Sequence, residues 1–464
     1  MSIQLPILPT QHIYAKKHAP DNLFLEAICV FVATGFFMDD DTFWKNRVCL
    51  LPAHTHEFDA FGNLISSTPN FNWYHEPEHR TFDAALEEYV ALLHEVIKEQ
   101  IGNQPVILPL SGGLDSRSLA AVLSLEDNPV HAFSYEFERG YKETKIAKQI
   151  AETCGFQFNA FEIKAGYLWN CIEDLAKING CYSEFTHPRQ MAVLSEMKQM
   201  QGVFCLGHWG DVLFNRGVSK GEQETDLALL LFKKMVKPNG FELAQKLWEV
   251  WQLDGQFKDY ILARIDTALA TISIDNTSAK IRAFKTKQWA HRWTTTNLQI
   301  FATAHPIQLP YYDNRMIDFV CRVPEIYLAD RRLQIAHLKK YPDLADVTWQ
   351  AHRPFNLGTY QHNRMPYNLP YRIYNKSRRV LQAFVGKSYV QRNFELQFLG
   401  SGNELNLKNY LFDTSFYSFV PKFVIDEFYS KFTRNNYLSF SHPISMLLTL
   451  SLFHAIFNQS LEDN

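Results

Sequence analysis

The stretch Pro105-Val-Ile-Leu-Pro-Leu-Ser-Gly-Gly-Leu-Asp-Ser116 decides the fold. Its apolar first half has the length of a buried strand, its glycine pair predicts a turn, and the apolar segment from Ser118 to Leu125 predicts a helix. Backbone N–H groups beside glycines and at a helix N-terminus attract anions, and Ser111 and Ser116 add hydroxyl donors. Asp115 would repel a phosphate unless a cation lay between them, so the stretch predicts a phosphate site with Mg²⁺.

The turn is not the G-x-x-x-x-G-K-[ST] phosphate loop, because no lysine follows Gly112 and Gly113. It resembles instead the S-G-G-x-D-S pyrophosphate-binding loop of the N-type ATP pyrophosphatases, which cleave ATP between the α- and β-phosphates. This resemblance implies that ATP and Mg²⁺ bind here. The implied nucleotide-binding residues are Leu110, Ser111, Gly112, Gly113, Asp115 and Ser116.

The composition narrows the class of protein. The 464 residues suffice for two or three domains, and 46 basic against 49 acidic residues give a net charge of −3 without a dense basic run, which argues against a nucleic-acid partner. We expect no signal peptide, and the apolar stretch from Leu23 to Met38 contains Glu26 and is too short for a membrane span. Seven cysteines without a C-x-x-C pair fit reduced thiols and no zinc site, so we expect a cytoplasmic protein.

The segments around the loop predict alternating strands and helices. A helix capped by Thr81 or Asp83 leads the chain to the loop. Strands are expected at 130–135 and 156–163, with a helix from Glu143 to Cys154 between them. This alternation predicts an α/β fold, a parallel sheet flanked by helices, in which ligands bind at the carboxyl ends of the strands.

A second apolar strand runs into a glycine turn with an acid at Val203-Phe-Cys-Leu-Gly-His-Trp-Gly-Asp-Val-Leu-Phe214. It resembles the segment Ser-Gly-Glu-Gly-Ala-Asp-Glu-Leu-Phe of asparagine synthetases. The resemblance implies that Gly207 contacts the nucleotide and that Asp211 and Asp115 share one Mg²⁺. Val212 stands where the family has a second acid, so one metal or water contact is expected to be missing.

His208 occupies a position that varies with the nucleophile in this group of enzymes. Asparagine synthetases have a Glu there, expected to act as base on the amine, and β-lactam synthetases have a Tyr. A histidine near its ordinary pKa suits the deprotonation of an attacking ammonium group, so His208 is a candidate catalytic base. The alternative is a histidine whose ring is hydrogen-bonded to the backbone of a tight turn.

The segment Phe43-Trp-Lys-Asn-Arg-Val-Cys-Leu-Leu-Pro52 and the turn at 59–63 resemble the tail of the glutaminase domain of asparagine synthetases, with Asn72-Trp73-Tyr74 as the candidate for its short strand. The family's glutaminase starts with a cysteine nucleophile after the initiator Met, whereas this chain has Ser2, and residues 1–80 are too few for that whole domain. We therefore expect a truncated remnant at 1–80, a synthetase domain at 81–360 and a helical C-terminal part at 361–464.

The segment Trp349-Gln-Ala-His-Arg-Pro-Phe355 follows the closing part of the family's synthetase domain. A lysine there stabilises charge on the adenylate and pyrophosphate in the family, and here His352 or Arg353 stands in. Because arginine holds phosphate in a two-pronged geometry, we favour Arg353 as the catalytic cation.

Four more residues have a functional and a structural interpretation. Asp313 lies in a segment that resembles the family's Pro-x-Leu-Asp motif and either caps a helix or contacts substrate. His291 and Arg292 either meet a substrate carboxylate or form structural ion pairs, and Glu143 either matches one acid of a family pair or favours a helix N-terminus. Helices are also expected at 225–271, 285–301 and 405–457, with a solvated helix face at 365–395.

The resemblance as a whole implies a ligase that uses ATP and Mg²⁺. ATP and a carboxylate would form an acyl-adenylate and pyrophosphate, and an amine or ammonia would attack the acyl carbon to give an amide and AMP. Candidate substrates are a sugar uronate, a peptide that closes a macrolactam, or a small metabolite. The alternatives are an ammonia-dependent asparagine synthetase, a nucleotide-binding subunit without turnover, and a sulfur-inserting pyrophosphatase that would use Cys205. The oligomeric state stays open.

Overall fold

A computed structural model describes residues 2–4, 13–15, 22–186, 188–218, 226–350, 352–384, 389–434 and 436–462. The strands are β1 (Ser2–Gln4), β2 (Ile13–Ala15), β3 (Arg47–Cys49), β4 (His54–Phe58), β5 (Leu64–Pro69), β6 (Val106–Pro109), β7 (Val130–Phe137), β8 (Gln157–Ile163), β9 (Val203–Cys205) and β10 (Ile307–Gln308).

The helices follow in chain order. They are α1 (Leu25–Thr34), α2 (Phe82–Ile101), α3 (Leu114–Leu123), α4 (Glu143–Thr153), α5 (Ile172–Asn179), α6 (Leu194–Gln199), α7 (Gly210–Leu213), α8 (Leu227–Met235), α9 (Gly240–Val250), α10 (Phe257–Ala270), α11 (Thr277–Lys285), α12 (Thr295–Ala304), α13 (Asn314–Arg322), α14 (Glu325–Leu328), α15 (Arg332–Leu338), α16 (Pro342–Asp346), α17 (Leu369–Phe384), α18 (Asn393–Gln397), α19 (Ser401–Leu411), α20 (Lys422–Thr433) and α21 (Tyr437–Glu462). A π-helical segment, Thr286–Thr294, joins α11 to α12.

A five-stranded parallel sheet in the order β10–β9–β6–β7–β8 lies at the centre of the protein. Successive side chains of a strand point to opposite faces, and β6 is buried on both. Val106 and Leu108 pack in one apolar cluster with residues of α2, α3, α4 and α15, whereas Ile107 packs in another with residues of α5 and α12. The predicted α/β fold with a parallel sheet flanked by helices is therefore confirmed.

The strand order brings the two glycine turns together. β6 and β9 are neighbours in parallel register, with Val106 opposite Val203, although about a hundred residues separate them in the chain. The turns at 110–113 and 206–209 leave these strands at the same edge of the sheet. The two carboxylates, which follow strands far apart in the sequence, therefore lie at the same edge of the sheet.

The N-terminal region packs into the same apolar core as the later helices. Eight of the ten residues of α1 are buried, and the helix contacts α9. The short strand expected at Asn72–Tyr74 is wrong, because this segment has no strand structure and the antiparallel pair of β4 and β5 ends at Pro69. The chain beyond it bonds instead to the end of α13, with Glu76 N donating to Cys321 O. The domain boundaries at 80 and 360 stay a prediction.

Local signals for helix ends are confirmed at two positions. The Thr81 side chain accepts a hydrogen bond from Ala84 N and caps α2, and Asp313 accepts from Arg315 N and caps α13. Of the helix expected at 225–271, residue 225 lies outside the described part, and the rest divides into α8, α9 and α10. The helix expected at 285–301 is present, but much of it is π-helical.

One helical stretch of the described chain, Tyr437–Ile456 in α21, is long and apolar enough to cross a membrane by length and composition. Of the apolar window in α21, 67% is buried inside the protein, where the helix contacts α5, α9, α19 and α20. Such burial is that of a core helix and gives no evidence for a membrane span.

Candidate active site

The first turn is held by its own serines. Ser111 N and Ser111 Oγ both lie 3.2 Å from Ser116 Oγ, and Gly113 N donates to Ser111 Oγ at 3.2 Å. Leu110 N continues the sheet by donating to Phe133 O at 2.7 Å. These bonds shape the turn so that α3, a helix of ten residues, begins directly after Gly113. Its N-terminal N–H groups favour an anion at this place.

Gly112 lies against the backbone of the 349–350 segment. A Cβ at this position would overlap Trp349 O and lie 3.2 Å from Gln350 Cα, so only glycine allows this approach. Gly112 therefore joins the first turn to the segment that carries Arg353, whereas Gly113 faces the cavities described below.

Arg117 fastens the same two segments together. It is fully buried in α3 and donates to Gly112 O at 3.0 Å, Thr348 O at 2.7 Å and Trp349 O at 3.0 Å. Further bonds reach Leu344 O and Val347 O. One guanidinium thus donates to five carbonyl oxygens, which compensates for the burial of its charge. Because these oxygens belong to both segments, the bonds also position the turn. The sequence analysis missed this residue, although a charged side chain in an apolar helix is a readable signal.

The second turn has a different construction. Trp209 adopts a left-handed conformation, with φ of 78°, and its indole Nε1 donates to Thr286 Oγ1 at 3.0 Å. The short helix α7 follows at once and carries Asp211 in its first turn. Gly207 and Gly210 both lie against the first turn: a Cβ on Gly207 would lie 3.0 Å from Ser116 N, and one on Gly210 would overlap Asp115 Oδ1.

Asp115 contacts residues from several parts of the site. Its Oδ1 accepts hydrogen bonds from Arg331, which forms an ion pair with it, and from Gln334 Nε2 at 2.8 Å. Burial raises the pKa of Asp115, Arg331 lowers it and the charge of Asp211 raises it, with a result of about 6. Two carboxylates that repel each other at one edge of a sheet favour a cation between them.

Two cavities meet at Asp115. The first, of about 500 Å³, is here named the arginine cavity; its charged lining consists of Asp115, Asp211, Asp330, Arg331, Arg353 and Arg364. The second, of about 370 Å³, is here named the aromatic cavity; the aromatic side chains of its lining are Phe133, Tyr135, His208 and Phe301. Ser111, Ser116 and Gly207 also line the aromatic cavity, and Asp115 and Gly113 line both. A ligand can therefore extend from one cavity into the other past the first turn.

His208 lies in the aromatic cavity with its ring 6.2 Å from that of Phe301. Burial lowers the pKa of His208 to about 4, although Asp211 acts in the opposite direction. Its Nδ1 is buried and has no hydrogen-bond partner among the described residues. A backbone bond at that nitrogen, one form of the structural alternative, is therefore not present in the described chain.

Arg353 lines the arginine cavity, and its guanidinium lies 4.5 Å from the centre of the Trp349 ring. Burial lowers the pKa of Arg353, and the neighbouring Arg331 lowers it further, so two cations lie close to each other in this cavity. The ring of His352 lies instead 6.4 Å from that of Tyr141. Of the two candidates for the family's lysine, only Arg353 lines the cavity that holds both aspartates.

The other candidates do not line the arginine cavity. Arg292 is buried and donates to Asp41 O at 2.7 Å, and His291 lies beside His54 with their rings 5.7 Å apart. Glu143 lines the aromatic cavity. Cys205 is buried, and burial raises the pKa of its thiol to about 12, which leaves almost no thiolate at neutral pH.

Arg331, Gln334 and Tyr311 are site residues that the sequence analysis did not identify. Gln334 Nε2 bridges Asp115 Oδ1 and Tyr311 Oη, the latter at 3.2 Å. Arg331 and its neighbour Asp330 are both left-handed, with φ of 63° and 57°. No local sequence pattern predicts a left-handed conformation at two successive residues that are not glycine.

The residues present fit a magnesium ion. Within the described ranges no cluster of three or more His, Cys, Asp or Glu side chains could hold a metal by itself. Mg²⁺ does not need one, because it is commonly bound by one or two carboxylates together with phosphate oxygens and water. Asp115 and Asp211 would supply the carboxylates of this set, and a bound cation would relieve the repulsion between them.

The fold is that of an α/β protein whose parallel sheet carries a candidate nucleotide site at the carboxyl ends of β6 and β9. A family model, asparagine synthase, matches residues 88–341, which is more than half of the chain. The chain therefore belongs to the asparagine synthase family, and this membership implies a ligase that uses ATP.

Comparison with solved structures finds an NMN synthetase from Francisella tularensis, 14% identical, with 46% of this chain and 95% of that chain covered and a TM-score of 0.23. The search of curated proteins found no match.

Proposed function

We propose that this protein is an AMP-forming amide synthetase, which adenylates a substrate carboxylate and then transfers the acyl group to an amine or to ammonia. One observation supports this function above the others. Asp115 and Asp211 leave two neighbouring parallel strands and line a single cavity together with Arg331 and Arg353. Two acids among fixed cations suit a metal-bound pyrophosphate, which is the leaving group of adenylation.

In the first step the carboxylate oxygen attacks the α-phosphorus of ATP, and the bond to the β-phosphate oxygen breaks. Asp115 and Asp211 would hold Mg²⁺, which when bound offsets the charge of the phosphates. Arg353 would contact the pyrophosphate in the arginine cavity. The N–H groups at the start of α3 would bind the phosphate oxygens between the two cavities.

In the second step the amine nitrogen attacks the acyl carbon, AMP leaves and the nitrogen loses a proton. His208 lines the aromatic cavity, where the acyl group would lie, and takes the role of the base in this proposal. Because its pKa is about 4, His208 is neutral at physiological pH and able to accept the proton, but it is a weak base. It therefore suits a proton lost late, when the nitrogen already carries positive charge.

The aromatic cavity favours a specialised carboxylate over aspartate. Phe133, Tyr135 and Phe301 provide ring surfaces, and His208 replaces the glutamate of asparagine synthetases. Aromatic surfaces favour apolar or ring-shaped groups, such as the ring of a sugar acid or a peptide side chain. Sulfur insertion is disfavoured, because the thiol of Cys205 is buried and protonated.

The test is ATP–pyrophosphate exchange measured with a panel of carboxylates, including aspartate, sugar uronates and peptides. We expect exchange with one class of carboxylate and a loss of about a thousandfold in Asp115→Asn and in Asp211→Asn. Asp330→Asn is the matched control, because Asp330 lines the same cavity and asparagine accepts its left-handed conformation. It is expected to retain exchange.

The outcomes separate the proposals. Exchange with aspartate alone would assign an asparagine synthetase. ATP binding without exchange on any carboxylate would favour a binding subunit. Undiminished AMP production in Asp115→Asn or Asp211→Asn would contradict the proposed ligase mechanism.

A further inference from the structure

Exposed apolar side chains are concentrated in one short segment. Within the described chain, fourteen large apolar side chains are exposed, and seven of them lie in 365–381. They are Met365, Tyr367, Leu369, Ile373, Tyr374, Val380 and Leu381. Isolated exposed apolar residues are normal on protein surfaces, but half of the total within seventeen residues marks an interaction surface.

Most of these residues belong to one face of α17. Leu369, Ile373 and Val380 are spaced by four and seven residues, so they align along the helix, with Tyr374 and Leu381 beside them. The opposite face contacts the protein: Tyr371, Asn375, Arg379 and Gln382 are half-buried and line a cavity shared with α4. The helix is therefore attached by its polar face and presents its apolar face outward.

The charge around this face has one sign. From position 347 to 394 the sequence contains no Asp or Glu but eight Lys or Arg residues. Outside that segment the chain has 38 basic and 49 acidic residues, so the cations are segregated. Arg372 and Lys376 are exposed beside the apolar row, and neither forms an ion pair with a described residue.

We propose that the apolar face of α17 docks on an anionic lipid membrane, with the helix lying in the plane of the lipid–water interface. An apolar row flanked by cations is the pattern of interfacial helices, because the row enters the acyl boundary while Lys and Arg reach the lipid phosphates. This interaction is peripheral, goes beyond amide synthesis and does not depend on it.

Charge distinguishes this occupant from two others. A second copy pairing through the same face would bring Arg372 and Lys376 against their own equivalents, and like charges repel. A nucleic acid would match the cations but leave Ile373, Val380 and Leu381 uncovered. An anionic bilayer has both negative charge and apolar depth, and it therefore matches the two properties together.

The experiment is sedimentation of the full chain with vesicles of phosphatidylcholine alone and of phosphatidylcholine mixed with phosphatidylglycerol. We expect binding to the mixed vesicles, weakening as salt is added, and little binding to phosphatidylcholine. Ile373→Asp is expected to weaken binding at least about tenfold and Lys376→Gln about fivefold. Phe423→Asp, at a site on α20 with 55% exposure against 57% for Ile373, is the matched control and should bind as the original protein.

Circular dichroism and ATP–pyrophosphate exchange verify that each variant is folded, and Leu381→Asp replaces Ile373→Asp if the latter misfolds. Binding to mixed vesicles that persists in Ile373→Asp and Lys376→Gln would overturn the proposal. So would the absence of vesicle binding together with a concentration-dependent dimer, measured by light scattering, that Ile373→Asp abolishes.

Discussion

The two glycine turns of the candidate active site follow neighbouring strands and carry one aspartate each, yet they differ in the bonds that hold them and in the exposure of the aspartate. The first turn is closed by bonds between Ser111 and Ser116 and leads into a ten-residue helix anchored by the buried Arg117. The second turn depends on the left-handed Trp209 and leads into a four-residue helix whose Asp211 is exposed. The same order of strand, glycine and acid thus produces one fixed carboxylate and one accessible carboxylate.

This difference suggests a division of roles. Asp115 is held by Arg331 and Gln334 and is costly to ionise, so the fold maintains its position at the expense of its charge. Asp211 is exposed, so fewer neighbouring atoms constrain its side chain. In the proposed mechanism, Asp115 would keep the metal in place, and the exposed Asp211 would follow the phosphates as they rearrange.

The largest effect is expected where the two turns touch. A Cβ at Gly210 would overlap Asp115 Oδ1, so Gly210→Ala must displace Asp115 from Arg331 and Gln334. We expect a loss of at least about a thousandfold in ATP–pyrophosphate exchange, because the carboxylate proposed to bind the metal would be displaced and the geometry of the site would be lost. Gly402→Ala, in a helix with nothing within 4 Å of the added Cβ, is the control. Near-original activity in Gly210→Ala would show that contact between the turns is not required.

The next effect separates the two chemical steps. His208→Asn should reduce amide formation about a hundredfold and leave ATP–pyrophosphate exchange nearly unchanged, because the role proposed for His208 is confined to the attacking amine. Since the pKa of His208 is about 4, no acid limb near pH 6.5 is expected from it in the rate of amide formation. Rapid-quench measurement of AMP and amide tests both statements. Equal losses in both steps would assign His208 to a structural role.

The third effect contrasts the two aspartates in stability. The pKa of Asp115 is about 6 in the folded protein and that of an unfolded carboxyl is about 3.9, so the folded state keeps a proton that the unfolded chain loses. Stability therefore falls as the pH rises through about 4 to 6. Without Mg²⁺, we expect Asp115→Asn to be more stable by up to about 3 kcal/mol at pH 7.5 and unchanged at pH 4.

Urea unfolding at the two pH values provides the measurement. Asp211→Asn is the matched variant from the more open turn, and its stability should change by no more than about 0.5 kcal/mol because Asp211 is exposed. A stabilisation of Asp115→Asn that is the same at pH 4 and pH 7.5 would contradict the raised pKa.

The smallest effect concerns the cations opposite the first turn. Arg353→Gln should reduce kcat/KM for ATP about tenfold, because one charge proposed to contact pyrophosphate is lost while Arg331 remains. Arg364→Gln is the control, since Arg364 lines the same cavity with its side chain 67% exposed and is worth about threefold at most. A larger loss in Arg364→Gln than in Arg353→Gln would reverse the assignment of these two residues.

Local chemistry made much of the fold predictable. The parallel sheet follows from apolar runs that alternate with amphipathic helices, and the caps at Thr81 and Asp313 follow from side-chain oxygens that reach the first free N–H groups. The strand expected at Asn72–Tyr74 is absent, and the chain just beyond it, at Glu76 and Glu78, has its backbone hydrogen-bond partners at the distant Cys321 and Arg322. Partners so remote in the chain leave no local pattern.

The sequence by itself determined that two strands end in glycine turns with Asp115 and Asp211, because strands, turns and helix starts depend on neighbouring residues. Only the tertiary structure decided which groups surround these acids. Arg331 and Gln334 reach Asp115 across 216 and 219 positions of the chain, and burial moves the pKa of Asp115 to about 6 and that of His208 to about 4. Charge interactions and desolvation depend on distances in space, which exist only once the strands have paired.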